Sequence, residues 1–229
     1  MGFRLSNVVP WGRTLDEYKK MFKLTLEDMS KKIASFGDGP ASFNKESNGN
    51  VVSFDPIYQF SKEQISERIN ETKDIVIEQS IQNSDNFKWN DIKDVNHLEE
   101  LRMGAMSNFL EDFEEGKTQG RYVPHELPNK TEFEDVYFDI ALSSHFLLLY
   151  SELGLDFHIN SIDEMIRVSK EVRIFPILDL DARKSNLLET IINNYKNDYD
   201  ISIEDTTYEF QKGGNQMLVI KRKEETLWF

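Results

Sequence analysis

At 229 residues, 39% of them apolar, the chain suits one α/β domain with an insertion and can bury a core, which excludes wholesale disorder. Its 41 acidic against 27 basic residues give a net charge of −14, a field that disfavours sequence-independent contacts to nucleic-acid phosphates. Cysteine is absent, which excludes disulfides and thiolate metal sites.

The start of the chain lacks the apolar core of a secretory signal, and the strongest apolar run, 140–150, is too short and too polar to span a bilayer. A cytoplasmic protein with neither a membrane nor a nucleic-acid partner is expected. Residues 1–31 open irregularly around Pro10, Trp11 and Gly12. Leu15, Tyr18 and Phe22 then fall at helical spacing, and Thr25 with Asp28 has the spacing of a capping box. This N-terminal helical cap either closes over a ligand mouth or covers a sheet edge.

Ile33–Phe36 reads as a strand ending in Gly37-Asp38-Gly39-Pro40, with Pro40 at the first position of a short helix and Gly49 as its stop. Free N–H groups at that helix start suit an anionic or polar ligand group. Val51–Phe54 is a second strand with Asp55 at its tip. Ser61 and Gln64 open a helix over 61–84, with Ile65, Ile69 and Val76 on one face. A second helix over 97–114, capped by Asn96, carries Leu98, Leu101, Ala105, Phe109 and Phe113 as a buried stripe. A parallel crossover needs only one helix here, so 61–118 reads as a helical insertion placed to shape a substrate pocket.

Arg121–Pro124 is a short third strand continuing into His125-Glu126-Leu127-Pro128. Phe138–Leu142 is a fourth, apolar on both faces, running into Ser143-Ser144-His145. Helix follows through Leu147–Tyr150, and another starts near Ser161 with Glu164 as its capping-box partner. Glu171–Leu178 is the fifth strand and Asn186–Tyr195 a helix. Ile201–Tyr208 and Gln216–Ile220 close the chain as an antiparallel hairpin joined through Lys212-Gly213-Gly214. The tail 222–229 is charged and ends Leu227-Trp228-Phe229, as a docked segment or a contact surface.

The expected fold is therefore α/β: a Rossmann-like, doubly wound, mostly parallel sheet with a C-terminal antiparallel hairpin, in one domain over 1–229. Its chemistry centres on Lys32–Pro56. Glycines let backbone approach a ligand where a Cβ would clash, and an acid at the tip of the next strand accepts ribose hydroxyls. The dinucleotide fingerprint wants a third glycine where Ser42 stands, which disfavours a nicotinamide-dependent oxidoreductase and favours S-adenosylmethionine. No two histidines stand at metal-ligand spacing, so no metal is expected, and His97 and His158 read as surface residues.

Over roughly 32–220 the chain resembles the class I S-adenosylmethionine-dependent methyltransferases. The resemblance is carried by Ala34-Ser35-Phe36-Gly37-Asp38-Gly39-Pro40-Ala41, Val51-Val52-Ser53-Phe54-Asp55-Pro56 and His125-Glu126-Leu127-Pro128, and by Tyr137–Leu142 with Ser143-Ser144-His145 and Ile162–Val168. More narrowly, Val9–Arg13, Asp55–Phe60 and Tyr208–Gln216 resemble an uncharacterised bacterial branch of that superfamily.

The resemblance implies roles for these residues. Ser35, Phe36, Gly37, Asp38 and Gly39 would form the cofactor loop, with Gly37 and Gly39 against the methionyl part. Asp55 would hold the ribose, Pro56 and Ile57 would pack on adenine, and Glu126 and Leu127 would sit at its edge. Ser143 and Ser144 would line the sulfonium region, and Arg13 would pair the cofactor carboxylate. His145, with Tyr150 behind it, is the candidate base. The expected function is methyl transfer to a small-molecule acceptor, cationic or neutral rather than polyanionic. Ser35 stands where the family carries an acid, and Ala41 where it carries a third glycine. These departures point to the alternative: a methyltransferase-like binding or regulatory protein with impaired chemistry.

Overall fold

The computed structural model describes residues 10–47 and 49–223. Val9 of the N-terminal motif and the tail from 224, with Leu227-Trp228-Phe229, lie outside the described residues. Seven strands form one sheet: β1 (Ile33–Phe36), β2 (Val51–Phe54), β3 (Tyr122–Val123), β4 (Phe138–Ser144), β5 (Ser169–Phe175), β6 (Tyr199–Asp205) and β7 (Gln216–Arg222). Their order is β3-β2-β1-β4-β5-β7-β6. The first five are parallel, while β7 runs antiparallel to both β5 and β6. This is the Rossmann-like sheet with a C-terminal antiparallel hairpin that the sequence predicts.

Buried side chains alternate across the sheet, as a two-period strand requires. Ala34, Ala141 and Val172 face α5 (Leu155–Val168) and α6 (Leu188–Tyr195). Ile33, Ile140 and Leu142 face α1 (Leu15–Phe22), whose Tyr18, Met21 and Phe22 are fully buried. The helix α1 is therefore a layer of the fold, with Tyr18 stacked on Phe43 at 4.1 Å. Between β2 and β3, α3 (Lys62–Gln82) and α4 (Val95–Thr118) pack together around Tyr58, Phe109, Phe113 and Tyr122. Among the described residues no helix is long and apolar enough to cross a membrane.

Several local expectations yield to tertiary partners. The helix after the glycine turn, α2 (Phe43–Glu46), is one turn long and does not begin at Pro40. Gly39 N–H is instead given to Asp55 (2.9 Å) and Ser42 N–H to the carbonyl of Arg13 (3.0 Å). Asp94 caps α4, accepting from His97 N–H at 2.8 Å, so the helix starts before Asn96. α5 begins at Leu155, not near Ser161, because Glu164 is drawn to Thr131 N–H (2.8 Å) and Arg167 (2.7 Å). Gly213-Gly214 lies inside a ten-residue connection, 206–215, rather than a two-residue turn. That connection folds over the α3–α4 linker: Lys88 N–H donates to the carbonyl of Phe210, and Phe87 stacks on Phe210 at 4.5 Å.

Candidate functional site

From β1 the chain crosses to β2 and β3 on one side and then, from β3, back over to β4 on the other, which opens a crevice beyond the carboxyl ends of β1 and β4. A cavity of about 510 Å³ occupies it. Phe36-Gly37-Asp38-Gly39 enter from β1, Phe54-Asp55-Pro56-Ile57 from β2, and Ser144-His145-Phe146 from β4. Gly37 (φ +67°) and Gly39 (φ +55°) both adopt the left-handed backbone that favours glycine, for different ends. A Cβ on Gly39 would meet nothing within 4 Å, so its backbone lies open to the cleft. A Cβ on Gly37 would stand 2.6 Å from the ring of Phe146, so that glycine makes room for the protein's own side chain.

Asp55 and the glycine loop grip each other. The Asp55 carboxylate accepts from Gly39 N–H (2.9 Å) and from Ile57 N–H (2.9 Å), capping the 3-10 turn Pro56–Gln59. Each oxygen thus keeps acceptor capacity. No cation pairs Asp55 among the described residues, and burial pushes its carboxyl up to about 6. The Tyr58 hydroxyl donates to the carbonyl of Gly39 at 2.7 Å and fixes the loop from below.

Asp38 is occupied elsewhere. It accepts from the hydroxyls of Ser35 (2.6 Å), Ser53 (2.6 Å) and Tyr18, and burial raises its pKa. Ser35 is fully buried beneath the loop and does not line the cavity, which corrects its expected place in the cofactor site. Asp38 touches the cavity, but its carboxylate is turned onto three hydroxyls, two on one oxygen and one on the other. Ser143 is likewise removed: its side chain is wholly buried off the cleft, its Oγ without a partner. Ser144 does line the cavity.

The strap 10–13 lies directly on the glycine loop. A Cβ on Gly12 would stand 2.1 Å from the Pro40 carbonyl oxygen, so only glycine allows this approach. The strap carries Arg13 into the cavity wall. Arg13 Nη1 donates to the carbonyl of Trp11 (3.2 Å), its buried Nε has no partner, and no carboxylate pairs it among the described residues. Burial lowers its pKa, and the nearby Arg102 lowers it further. Behind it, Arg102 and Glu17 form a buried ion pair at 2.7 Å, closed by Tyr208, whose hydroxyl donates to Glu17 at 3.0 Å. Burial pushes Glu17 up, but the charge and hydrogen bond of Arg102, with Arg13 and Thr14 N–H, outweigh it and hold the carboxyl down to about 2.

His145 stands just past β4 with φ +52°, its Nδ1 3.0 Å from Ser144 Oγ and its ring edge-on to Phe175 and Tyr208. Burial first, then Arg13 and Arg102, hold its pKa well below the usual histidine value, so the imidazole is neutral. Tyr150 also lines the cavity, as do Glu126 and Leu127. His125, which sequence reasoning quoted only within a motif, lines it too. Its ring stands edge-on to Phe36 and Phe54 and its buried Nε2 has no partner. Its position two residues past β3 was the available signal. Tyr18, which with Trp11 and Arg13 was a candidate to close the pocket, does line it, whereas the far-wall residues Leu98 and Phe210 carried no signal, because distant segments bring them there. His158 corrects another expectation: it is fully buried, its ring nitrogens facing the carbonyls of Gly154 (2.6 Å) and Leu147 (2.9 Å). Among the described residues no cluster of three or more His, Asp or Glu is arranged to hold a metal ion.

An uncharacterised protein of the archaeon Methanocaldococcus jannaschii is 39% identical over 224 residues, 95% of this chain and 98% of that one. The chain belongs to that protein's family. The relative is archaeal, whereas the sequence resemblance pointed to a bacterial branch. No family model matches the sequence. Solved structures of similar outline include a putative S-adenosyl-L-methionine-dependent methyltransferase from Methanococcus maripaludis (10% identity, TM-score 0.42, 93% of this chain and 85% of that one). Another is a SAM-dependent methyltransferase from Aquifex aeolicus (12%, 0.43, 90% and 88%). A third is magnesium protoporphyrin IX methyltransferase from Synechocystis with bound SAM (11%, 0.41, 84% and 70%). At these scores the likeness is one of general outline only.

Proposed function

We propose that this protein is an S-adenosylmethionine-dependent methyltransferase acting on a small molecule. One observation carries the reading: the Asp55 carboxylate, free of any cation, shares a single cleft with the open backbone of Gly39 and is joined to it by a hydrogen bond. When bound, the cofactor supplies a methyl group on a sulfonium, and catalysis is then chiefly a matter of holding the nucleophile in line. The residues present fit it. Asp55 would take the ribose hydroxyls, Gly39 would lie under the methionyl chain, and the unpaired guanidinium of Arg13 would take its carboxylate. Phe36, Phe54, Pro56, Ile57 and Leu127 would enclose adenine, with Glu126 at its edge. His145, neutral and backed by Tyr150, would receive or orient the acceptor's proton. A cavity of about 510 Å³ suits a cofactor and a small acceptor.

A second reading, a methyltransferase-like binding or regulatory protein, is favoured by one observation: Ser35 stands in place of an acid, and Asp38 is turned onto the hydroxyls of Ser35, Ser53 and Tyr18. Calorimetry with S-adenosylmethionine, S-adenosylhomocysteine and NAD, followed by turnover on an acceptor panel, separates the readings. Absence of binding by the first two removes the proposal. Binding without turnover on any acceptor supports the second reading.

A further inference from the structure

The two ends of the cavity differ in access. The lining residues that are also exposed, Pro56, Phe60, Arg68, Glu126 and Leu153, mark an open mouth at the strand tips and the start of α3. Further in, the lining residues from the α3–α4 insertion, Val76, Ser80, Phe87 and Leu98, are all buried. With Phe210 and Gln211 of the 206–215 connection they wall a chamber, and none of these six side chains is charged. The Ser80 hydroxyl donates to the Val76 carbonyl (2.8 Å), so the walls offer chiefly apolar contact. A clasp shuts the chamber from outside. Phe87 and Gln211 pair as a single antiparallel bridge. Lys88 N–H donates to the Phe210 carbonyl (2.7 Å) and Lys212 N–H to that of Asn86 (2.9 Å). The Phe87–Phe210 stack and the Lys88–Glu209 ion pair (2.6 Å) complete it. Residues 87–89 and 206–215 belong to no helix and no strand of the sheet, so the clasp can part by losing these few contacts while the sheet stays whole.

We propose that this chamber is the acceptor subsite, that it takes an uncharged apolar end of the acceptor, and that the clasp is its door. This rests on the methyltransferase reading above. In that reading adenine lies against Pro56, Ile57 and Glu126, so the cofactor fills the open mouth, and an acceptor meeting the loaded protein needs a second way in. Val76, Phe87, Leu98 and Phe210 come from the insertion and the connection, not from the strand tips that hold the cofactor. The chamber also adjoins the candidate base. Leu98 stands one turn before Arg102 on α4, Arg102 donates to the Tyr208 hydroxyl at 3.3 Å, and the Tyr208 ring lies edge-on to His145. An opening clasp admits the acceptor without releasing the cofactor, and a closed one keeps water from the reacting atoms.

The chain has no cysteine, so one engineered disulfide can lock the door. Phe87 and Gln211 form a non-hydrogen-bonded antiparallel pair, a geometry that sets Cα atoms about 4.5 Å apart, within disulfide reach. The double variant Phe87→Cys/Gln211→Cys is saturated with S-adenosylhomocysteine and mixed with N-phenyl-1-naphthylamine, an uncharged apolar ring probe that brightens when it leaves water. Oxidation is expected to slow probe association at least about tenfold against the same variant reduced, and to leave S-adenosylhomocysteine affinity unchanged. Should the double variant not fold, Lys88→Ala in the native chain serves instead: loss of its ion pair should speed association about two- to fivefold. Equal rates with the disulfide open and closed, no faster entry in Lys88→Ala, or no probe binding at all would overturn the inference while the cofactor reading stands. So would loss of S-adenosylhomocysteine affinity on oxidation, which would put the clasp on the cofactor's own path. If S-adenosylhomocysteine gives no heat with the wild-type protein, the cofactor reading fails and this inference falls with it.

Discussion

Asp55 is costly to keep as an anion, because burial disfavours its charged form and no cation pairs it among the described residues. Burial raises its carboxyl from the usual 3.8 to about 6 in the folded state. The folded protein therefore holds this proton to higher pH than the unfolded chain does. Stability from this group is greatest below about pH 4 and is lost as pH rises through about 6. Asp55→Asn should flatten that part of the stability–pH curve, which urea unfolding at a series of pH values will show. Asp55→Ala should weaken S-adenosylhomocysteine binding by about 1.5–3 kcal/mol, the worth of hydrogen bonds to a charged group. Unchanged affinity would place the ribose elsewhere. Glu17 behaves in the opposite sense. Its folded pKa of about 2 lies below its usual 4.5, so its contribution is present above about pH 4.5 and fades as pH falls toward 2.

At the scale of elements, α1 and α4 are tied by the Glu17–Arg102 pair, which also sets the charge behind the strap. Arg102→Met leaves Glu17 buried without its cation and should cost about 3–5 kcal/mol in urea unfolding, whereas replacing both partners by apolar residues should cost much less. Signals confined to one turn of chain were legible in the sequence. The Ser61–Gln64 and Thr25–Asp28 caps stand as their spacing predicts. So do Asp55 at the tip of β2 and the glycines at the end of β1. Ser161–Glu164 has the same cap spacing and misleads, because Thr131, 33 residues earlier, and Arg167, one turn further along the same helix, take the Glu164 carboxylate. Nor does the sequence show where a carboxylate points. Asp38 turns under the loop because Ser35, Ser53 and Tyr18 present hydroxyls there. His158 is buried because two carbonyls meet its ring, which spacing does not encode.

Across the whole molecule, the cleft is closed by segments more than a hundred residues apart. The 206–215 connection lies on the α3–α4 linker through the Phe87–Phe210 stack and the Lys88–Glu209 pair at 2.6 Å. Phe210→Ala should raise hydrogen-exchange rates in 84–93 and 206–215 together, by a similar factor, and leave S-adenosylhomocysteine affinity unchanged. Exchange rising in one segment alone would show that they do not close the cleft as a unit. The central claim is that Gly39 and Asp55 grip one adenosyl ligand, and the most direct test is titration of the wild-type protein with S-adenosylhomocysteine. Saturable one-to-one heat, sharply reduced by Asp55→Ala, is expected. No heat with this ligand, or saturable heat with NAD in its place, would contradict it.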